Sequence, residues 1–153
     1  AGMFPLSITS CSQAVFNRFL SDEVHKGFFH AHTFSAHPIG CAAALAGIEL
    51  LNSPEIAERR KYIESAHNSF VTRIEKHEKV GNVRVMGVIL AIDLNIQMER
   101  YGNLRDDLYD FFVERGVLLR PLGNTIYVLP PYVITNSELQ KIYETITAAL
   151  ETI

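Results

Sequence analysis

The stretch Gly116-Val117-Leu118-Leu119-Arg120-Pro121-Leu122-Gly123-Asn124, followed by Ile126-Tyr127-Val128-Leu129 and Pro130-Pro131-Tyr132, decides how the second half of the chain is read. Gly116 sits where a helix stops most cheaply, because glycine enters the left-handed region without a Cβ clash. Val117–Arg120 and Ile126–Leu129 are runs of strand length around a Gly123-Asn124 turn, which predicts a hairpin. Working upstream, Asn103 with Asp106 three residues later opens a helix whose apolar face is Leu104, Leu108, Phe111 and Phe112. Before it, Val83–Met86 and Val88–Leu94 read as strands interrupted by Gly87. Downstream, Thr135 and Glu138 form a capping box, and the last helix buries Leu139, Ile142, Tyr143, Ile146, Ala149 and Leu150. The order β-β-α-β-β-α predicts a small α+β domain, a short sheet covered on one face by helices.

The first half is less regular. Pro5–Ser10 alternates apolar and small polar residues and predicts a strand whose pairing partner would lie before it. Ser12 caps a short helix over Gln13–Leu20. The loop Phe28–Pro38 is aromatic and histidine-rich, a composition suited to packing on or binding something. Cys41–Leu51 is apolar nearly all round, which predicts a helix buried on most faces with Cys41 in the core, and Pro38 suits its first turn. Ser53-Pro54-Glu55 opens a longer, charged helix with the apolar stripe Ile56, Ile63, Ala66, Phe70 and Ile74. The expected organisation is a remnant of a larger domain over residues 1–52, a linking helix over 53–79, and a small α+β domain over 80–153.

Composition narrows the function. Of 153 residues, 48% are apolar, enough for a real core, and 14 Lys and Arg against 17 Asp and Glu leave a net charge of −3. That balance offers no basic surplus for a phosphate backbone, so nucleic acid is not an expected partner. No apolar run reaches membrane-span length and no secretory signal is visible, which points to a cytoplasmic protein with no membrane partner. Two cysteines, Cys11 and Cys41, make neither a disulfide framework nor a zinc site.

Few side chains suggest chemistry. His30, His32 and His37 lack acidic or thiol companions at metal-ligand spacing, so no metal is expected. Thr33 lies in a loop running into a helix start, where a hydroxyl and backbone amides suit a phosphate, although a local cap is the commoner use of such a residue. Arg120 ends an apolar run, where a guanidinium can grip a carboxylate by two parallel hydrogen bonds or simply pair with a surface acid. Tyr127, on the facing strand of the expected hairpin, could add its hydroxyl there or serve as a half-buried strand aromatic.

His32-Thr33-Phe34-Ser35-Ala36-His37-Pro38 with Gly40-Cys41-Ala42-Ala43-Ala44, and the Gly116–Asn124, Ile126-Tyr127 and Pro130–Ile134 segments, together resemble the class III pyridoxal-phosphate-dependent aminotransferases. Arg120-Pro121 with Ile126-Tyr127 and Pro130-Pro131-Tyr132 is most similar to the biotin-synthesis branch of that family. The resemblance runs along essentially the whole chain. It implies a truncated α/β fold of the fold-type I pyridoxal-phosphate transferase kind and a homodimer with its active site at the subunit interface. It also implies transfer of an amino group from S-adenosylmethionine to 8-amino-7-oxononanoate, or, in other branches, ornithine or 4-aminobutyrate chemistry. Thr33 would bind the cofactor phosphate of the neighbouring subunit, His32 would line that loop, and Arg120 would hold the substrate carboxylate with Tyr127 in the same pocket.

The resemblance also places the Schiff-base lysine just before Ala1. None of Lys26, Lys61, Lys76, Lys79 or Lys141 matches it, so no catalytic residue is expected within these positions and the chain alone is expected to be inactive. A stand-alone, non-catalytic module on the same scaffold is the alternative. An uncovered strand and apolar helix in the first half would favour assembly, or disorder of residues 1–35.

Overall fold

The computed structural model describes residues 3–96 and 103–152. They fall into two compact units, one ending at Ser53 and one starting at Pro54.

The second unit is built on α3 (Pro54–Ile74), β1 (Val80–Met86), β2 (Ile89–Leu94), α4 (Asn103–Glu114), β3 (Thr125–Val128) and α5 (Asn136–Thr152). The strands form one antiparallel sheet in the order β1-β2-β3. Gly87, at φ +55°, turns β1 into β2. Leu90 lies opposite Val128 and Ile92 opposite Ile126, so these side chains share one face. That face is buried against Ile63, Phe70 and Ile74 of α3, Leu108 and Phe112 of α4, and Leu139, Ile146 and Leu150 of α5. Burying one such side chain is worth roughly 1.5–3 kcal/mol. A one-residue slip of β2 would turn the whole row to solvent, which fixes the register.

Helix ends follow their local chemistry. The Thr135 N–H donates to Glu138 Oε2 at 2.7 Å while the Glu138 N–H donates to Thr135 Oγ1 at 3.2 Å, the reciprocal pair expected of the capping box. Gly116 ends α4 at φ +70°, and the Val117 N–H reaches back to the Phe112 carbonyl at 2.9 Å.

The expected hairpin is only partly present. Leu122 and Thr125 exchange both backbone hydrogen bonds, at 2.9 and 3.1 Å, across the Gly123-Asn124 turn. Pairing stops there, and Val117–Arg120 is not a strand. Its side chains still alternate, with Val117 and Leu119 in the core and Leu118 and Arg120 outward. Pro121, itself buried, holds φ near −65°, off the range of a sheet strand, and diverts the chain. β3 pairs with β2 along its other edge, and the described sheet has three strands where four were expected.

The first unit carries α1 (Gln13–Phe19), a 3₁₀ turn at Val24–Lys26 and α2 (Pro38–Leu51). Ser12 caps α1 by accepting from the Val15 N–H, as its position implied. Pro5–Ser10 is exposed and joins no sheet, correcting the expected strand, because alternation needs a neighbouring edge and this unit has no strand among its described residues. Cys41 is exposed rather than in the core, and of α2 only Gly40 is buried. A helix apolar on every side needs cover on every side, and the one other α-helix of this unit is seven residues long. No helix among the described residues is long and apolar enough to cross a membrane.

Candidate functional site

In the first unit, residues 33–36 form a double turn that delivers the chain to α2. The Ser35 N–H donates to the His32 carbonyl at 2.9 Å, and Ser35 Oγ accepts from the His32 N–H at 3.0 Å. The His37 N–H closes a second turn on the Phe34 carbonyl, with Ala36 held at φ +56°. His37 then caps α2 by accepting the Gly40 N–H on Nδ1 at 3.2 Å, so its ring serves the backbone. Thr33 stands at the crest of the first turn, exposed, with no hydrogen bond from its side chain to any described residue. His32 is exposed beside it and meets the His30 ring edge-on, with centroids 5.1 Å apart. Among the described residues no three His, Cys, Asp or Glu side chains converge as metal ligands would.

In the second unit, Arg120 lines a cleft of about 480 Å³ between the 118–121 segment and one face of α4. The other walls are Leu118, Pro121, Tyr109, Arg105 and Asp106. Arg120 is exposed and makes no ion pair or side-chain hydrogen bond with any described residue, whereas Arg105 is engaged: its Nε–H donates to Asp106 Oδ1 at 2.9 Å and one Nη joins it. Tyr127 pairs across the sheet with Ala91 rather than with Arg120, since the strand expected opposite it does not form. Its side chain stands on the sheet face away from the core, 39% exposed, and is not among the residues lining the cleft. On that face Arg84 forks onto Asp93, and Thr125 Oγ1 donates to Asp93 at 2.7 Å. The Arg84 hydrogen bonds hold the Asp93 carboxyl below the usual carboxylate range.

Each unit offers one unengaged polar group of its own among the described residues. A phosphate ester calls for hydroxyl and amide donors, and the Thr33 hydroxyl is unengaged among the described residues. A carboxylate calls for a guanidinium, and Arg120 offers one with no acid on it among the described residues. The amine is a different matter: Lys26, the lysine nearest in sequence to the turn, is tied to Glu23 at 2.6 Å.

A family model described as aminotransferase class-III matches residues 1–150. The chain belongs to the class III aminotransferases. It is 38% identical, over 99% of its length, to the adenosylmethionine-8-amino-7-oxononanoate aminotransferase of Synechococcus elongatus, and 32% identical over its whole length to that of Geobacter sulfurreducens. It spans about a third of the length of these curated relatives, 36% and 35%. The crystal structure of the Methanocaldococcus jannaschii protein of the same name superposes with a TM-score of 0.79 at 26% identity, over 90% of this chain and 33% of that one. A Bacillus anthracis aminotransferase shares the fold with the same TM-score at 23% identity, over 92% of this chain and 34% of its own. The family is pyridoxal-phosphate dependent, and the α/β architecture expected from the sequence is the one its structures display.

Sequence reading missed two groupings of this class III chain. One is the Arg105–Asp106 pair beside Arg120; its signal was the spacing of Arg105 and Tyr109, four apart on one helical face. The other is His67, fully buried on the apolar stripe of α3. Its Nδ1 accepts the Tyr143 O–H at 2.7 Å and its Nε2–H donates to the Val88 carbonyl at 3.0 Å. Burial pushes the His67 pKa below 6.5 and the Tyr143 pKa far up. The clue was available, because positions 63, 67, 70 and 74 share a helical face and the residue at 67 is polar.

Proposed function

We propose that these residues are the substrate-anchoring part of an aminotransferase that moves an amino group from S-adenosylmethionine to 8-amino-7-oxononanoate in biotin synthesis. The observation that carries this reading is Arg120, an exposed guanidinium with no acid on it among the described residues, set at the edge of a cleft walled in part by Leu118, Pro121 and Tyr109. The proposed substrate has a carboxylate at one end of a methylene chain. Arg120 grips that carboxylate by two parallel N–H···O bonds and so fixes where the far end falls. Leu118, Pro121 and the Tyr109 ring lie along the methylenes, where apolar contact excludes water. Tyr127 lies outside this cleft, so its hydroxyl is not assigned to the carboxylate held by Arg120.

Pyridoxal phosphate, when bound, provides the carbonyl that receives the amino group and the ring that draws off electrons. Thr33 donates its hydroxyl to the cofactor phosphate of the neighbouring subunit in a homodimer, and His32 lines that loop. The lysine required to hold the cofactor covalently lies outside these 153 positions, and the enzyme is cytoplasmic.

Two measurements test the reading. The 153-residue chain, incubated with one equivalent of pyridoxal phosphate and then borohydride, is expected to show no turnover and no one of its five lysines labelled in preference to the other four. Stoichiometric adduct confined to one of them contradicts the assignment. In the full-length polypeptide, S-adenosylmethionine is expected to serve as amino donor where ornithine and 4-aminobutyrate do not; the reverse profile moves the chain to another branch of the family.

A further inference from the structure

The cleft at Arg120 holds more charge than one carboxylate needs. Among the described residues its lining carries two guanidiniums, Arg105 and Arg120, and one carboxylate, Asp106. The three are not equivalent. Arg105 and Asp106 are adjacent in the first turn of α4, and two N–H groups of Arg105 converge on the same Asp106 oxygen, whereas Arg120 faces the cleft unpaired by any described residue. The described lining therefore presents a net charge of about one positive unit, not two. Leu118 and Pro121 add no compensating polar group, and Leu118 is 79% exposed at the mouth.

We infer that Asp106, by engaging Arg105, sets the charge count of this cleft and makes it select a single carboxylate on an apolar tail over a dicarboxylate. The inference rests on the carboxylate role proposed for Arg120. A second carboxylate entering the cleft would find Arg105 already sharing two of its N–H groups with Asp106 and would meet the Asp106 charge, so it would lose solvation for a weakened partner. A monocarboxylate meets Arg120 at one end and lays its tail on Leu118, Pro121 and the Tyr109 ring, asking nothing of the Arg105–Asp106 pair. Asp106 acts here through Arg105, as a specificity-positioning residue that itself touches no substrate.

The test compares two unreactive probes of equal chain length, nonanoate and nonanedioate, as competitive ligands of the full-length polypeptide. Inhibition constants are measured for the wild type and for Asp106→Asn, Arg105→Met/Asp106→Asn and Arg120→Ala, with circular dichroism as the check on folding. The wild type is expected to bind nonanoate at least as tightly as nonanedioate. Asp106→Asn frees Arg105 and is expected to shift the ratio toward nonanedioate by roughly fivefold or more, an effect that shrinks at high salt. The double variant, lacking the freed guanidinium, is expected to restore the wild-type ratio. An unchanged ratio in Asp106→Asn, with Arg120→Ala still abolishing the binding of both probes, overturns the inference and leaves the Arg120 role standing. Nonanoate binding unaffected by Arg120→Ala overturns the underlying reading instead.

Discussion

Replacing Tyr143 by Phe removes one hydroxyl from the interior of the second unit and changes little else in shape. The Tyr143 ring stacks on Phe70 with centroids 4.4 Å apart, and a phenylalanine keeps that contact. What is lost is the 2.7 Å hydrogen bond to His67 Nδ1. His67 is 0% exposed, so its nitrogen then has neither a protein partner nor ready access to water. Leaving a buried acceptor unsatisfied costs about 1–3 kcal/mol. Urea unfolding at pH 7.5 should show a loss of that size, with the midpoint moving and the slope preserved. The same site fixes a pH dependence. Because burial lowers the His67 pKa below the 6.5 of an exposed histidine, the unfolded chain binds the proton more readily. The stabilisation is whole above pH 6.5 and erodes as pH falls below it, at most about 1.4 kcal/mol per pH unit, until the folded-state pKa is passed. A His67→Leu variant, with no proton to bind, should have a flatter profile in that window. A Tyr143→Phe variant as stable as the wild type at pH 7.5, or a wild type that gains stability on acidification from 6.5 through this residue, would refute the reasoning.

Other outcomes follow from the helix ends. Thr135→Ala removes the hydroxyl arm of the capping box at the start of α5, while the backbone N–H of that residue can still donate to Glu138, and should cost about 1 kcal/mol in the same unfolding assay. Gly116→Ala places a Cβ on a residue at φ +70° and 3.0 Å from Lys141 Nζ; destabilisation of about 1 kcal/mol is expected, while Gly116→Asn, which tolerates that backbone better, should cost less. A gain in stability from Gly116→Ala would show that the left-handed stop does not set the end of α4.

Much of the second unit was legible because its signals are local. The Thr135–Glu138 box, the Gly116 stop and the apolar faces of α4 and α5 are each decided within a few residues; the box and the stop appear as read, and the faces do so with Leu104, Phe111 and Ile142 only partly buried. Strand pairing is not local. Val117–Arg120 has the composition and even the alternation of a strand, yet its hydrogen-bond partner depends on where Pro121 sends the chain and on β2 already occupying an edge of β3. Cys41 misled for a related reason. The apolar surround of α2 in sequence states that cover is required, not that it lies within the same unit. His67 was hidden by its type, since a polar residue in a charged helix reads as surface unless its position on the stripe is checked. At the candidate site, sequence identified Arg120 and Thr33 as residues of interest, but nothing in it showed that Arg105 is engaged by Asp106 while Arg120 is not.

The account turns on Arg120 as a carboxylate anchor. Steady-state kinetics of the full-length polypeptide bearing Arg120→Ala, measured with 8-amino-7-oxononanoate and with its methyl ester, address that role directly. Removing a guanidinium paired to a desolvated carboxylate costs about 2–5 kcal/mol, so kcat/KM for the acid should fall by about 30-fold or more, while the ester, already lacking the charge, should be nearly unaffected. Equal losses for acid and ester, or no loss for either, would contradict the claim.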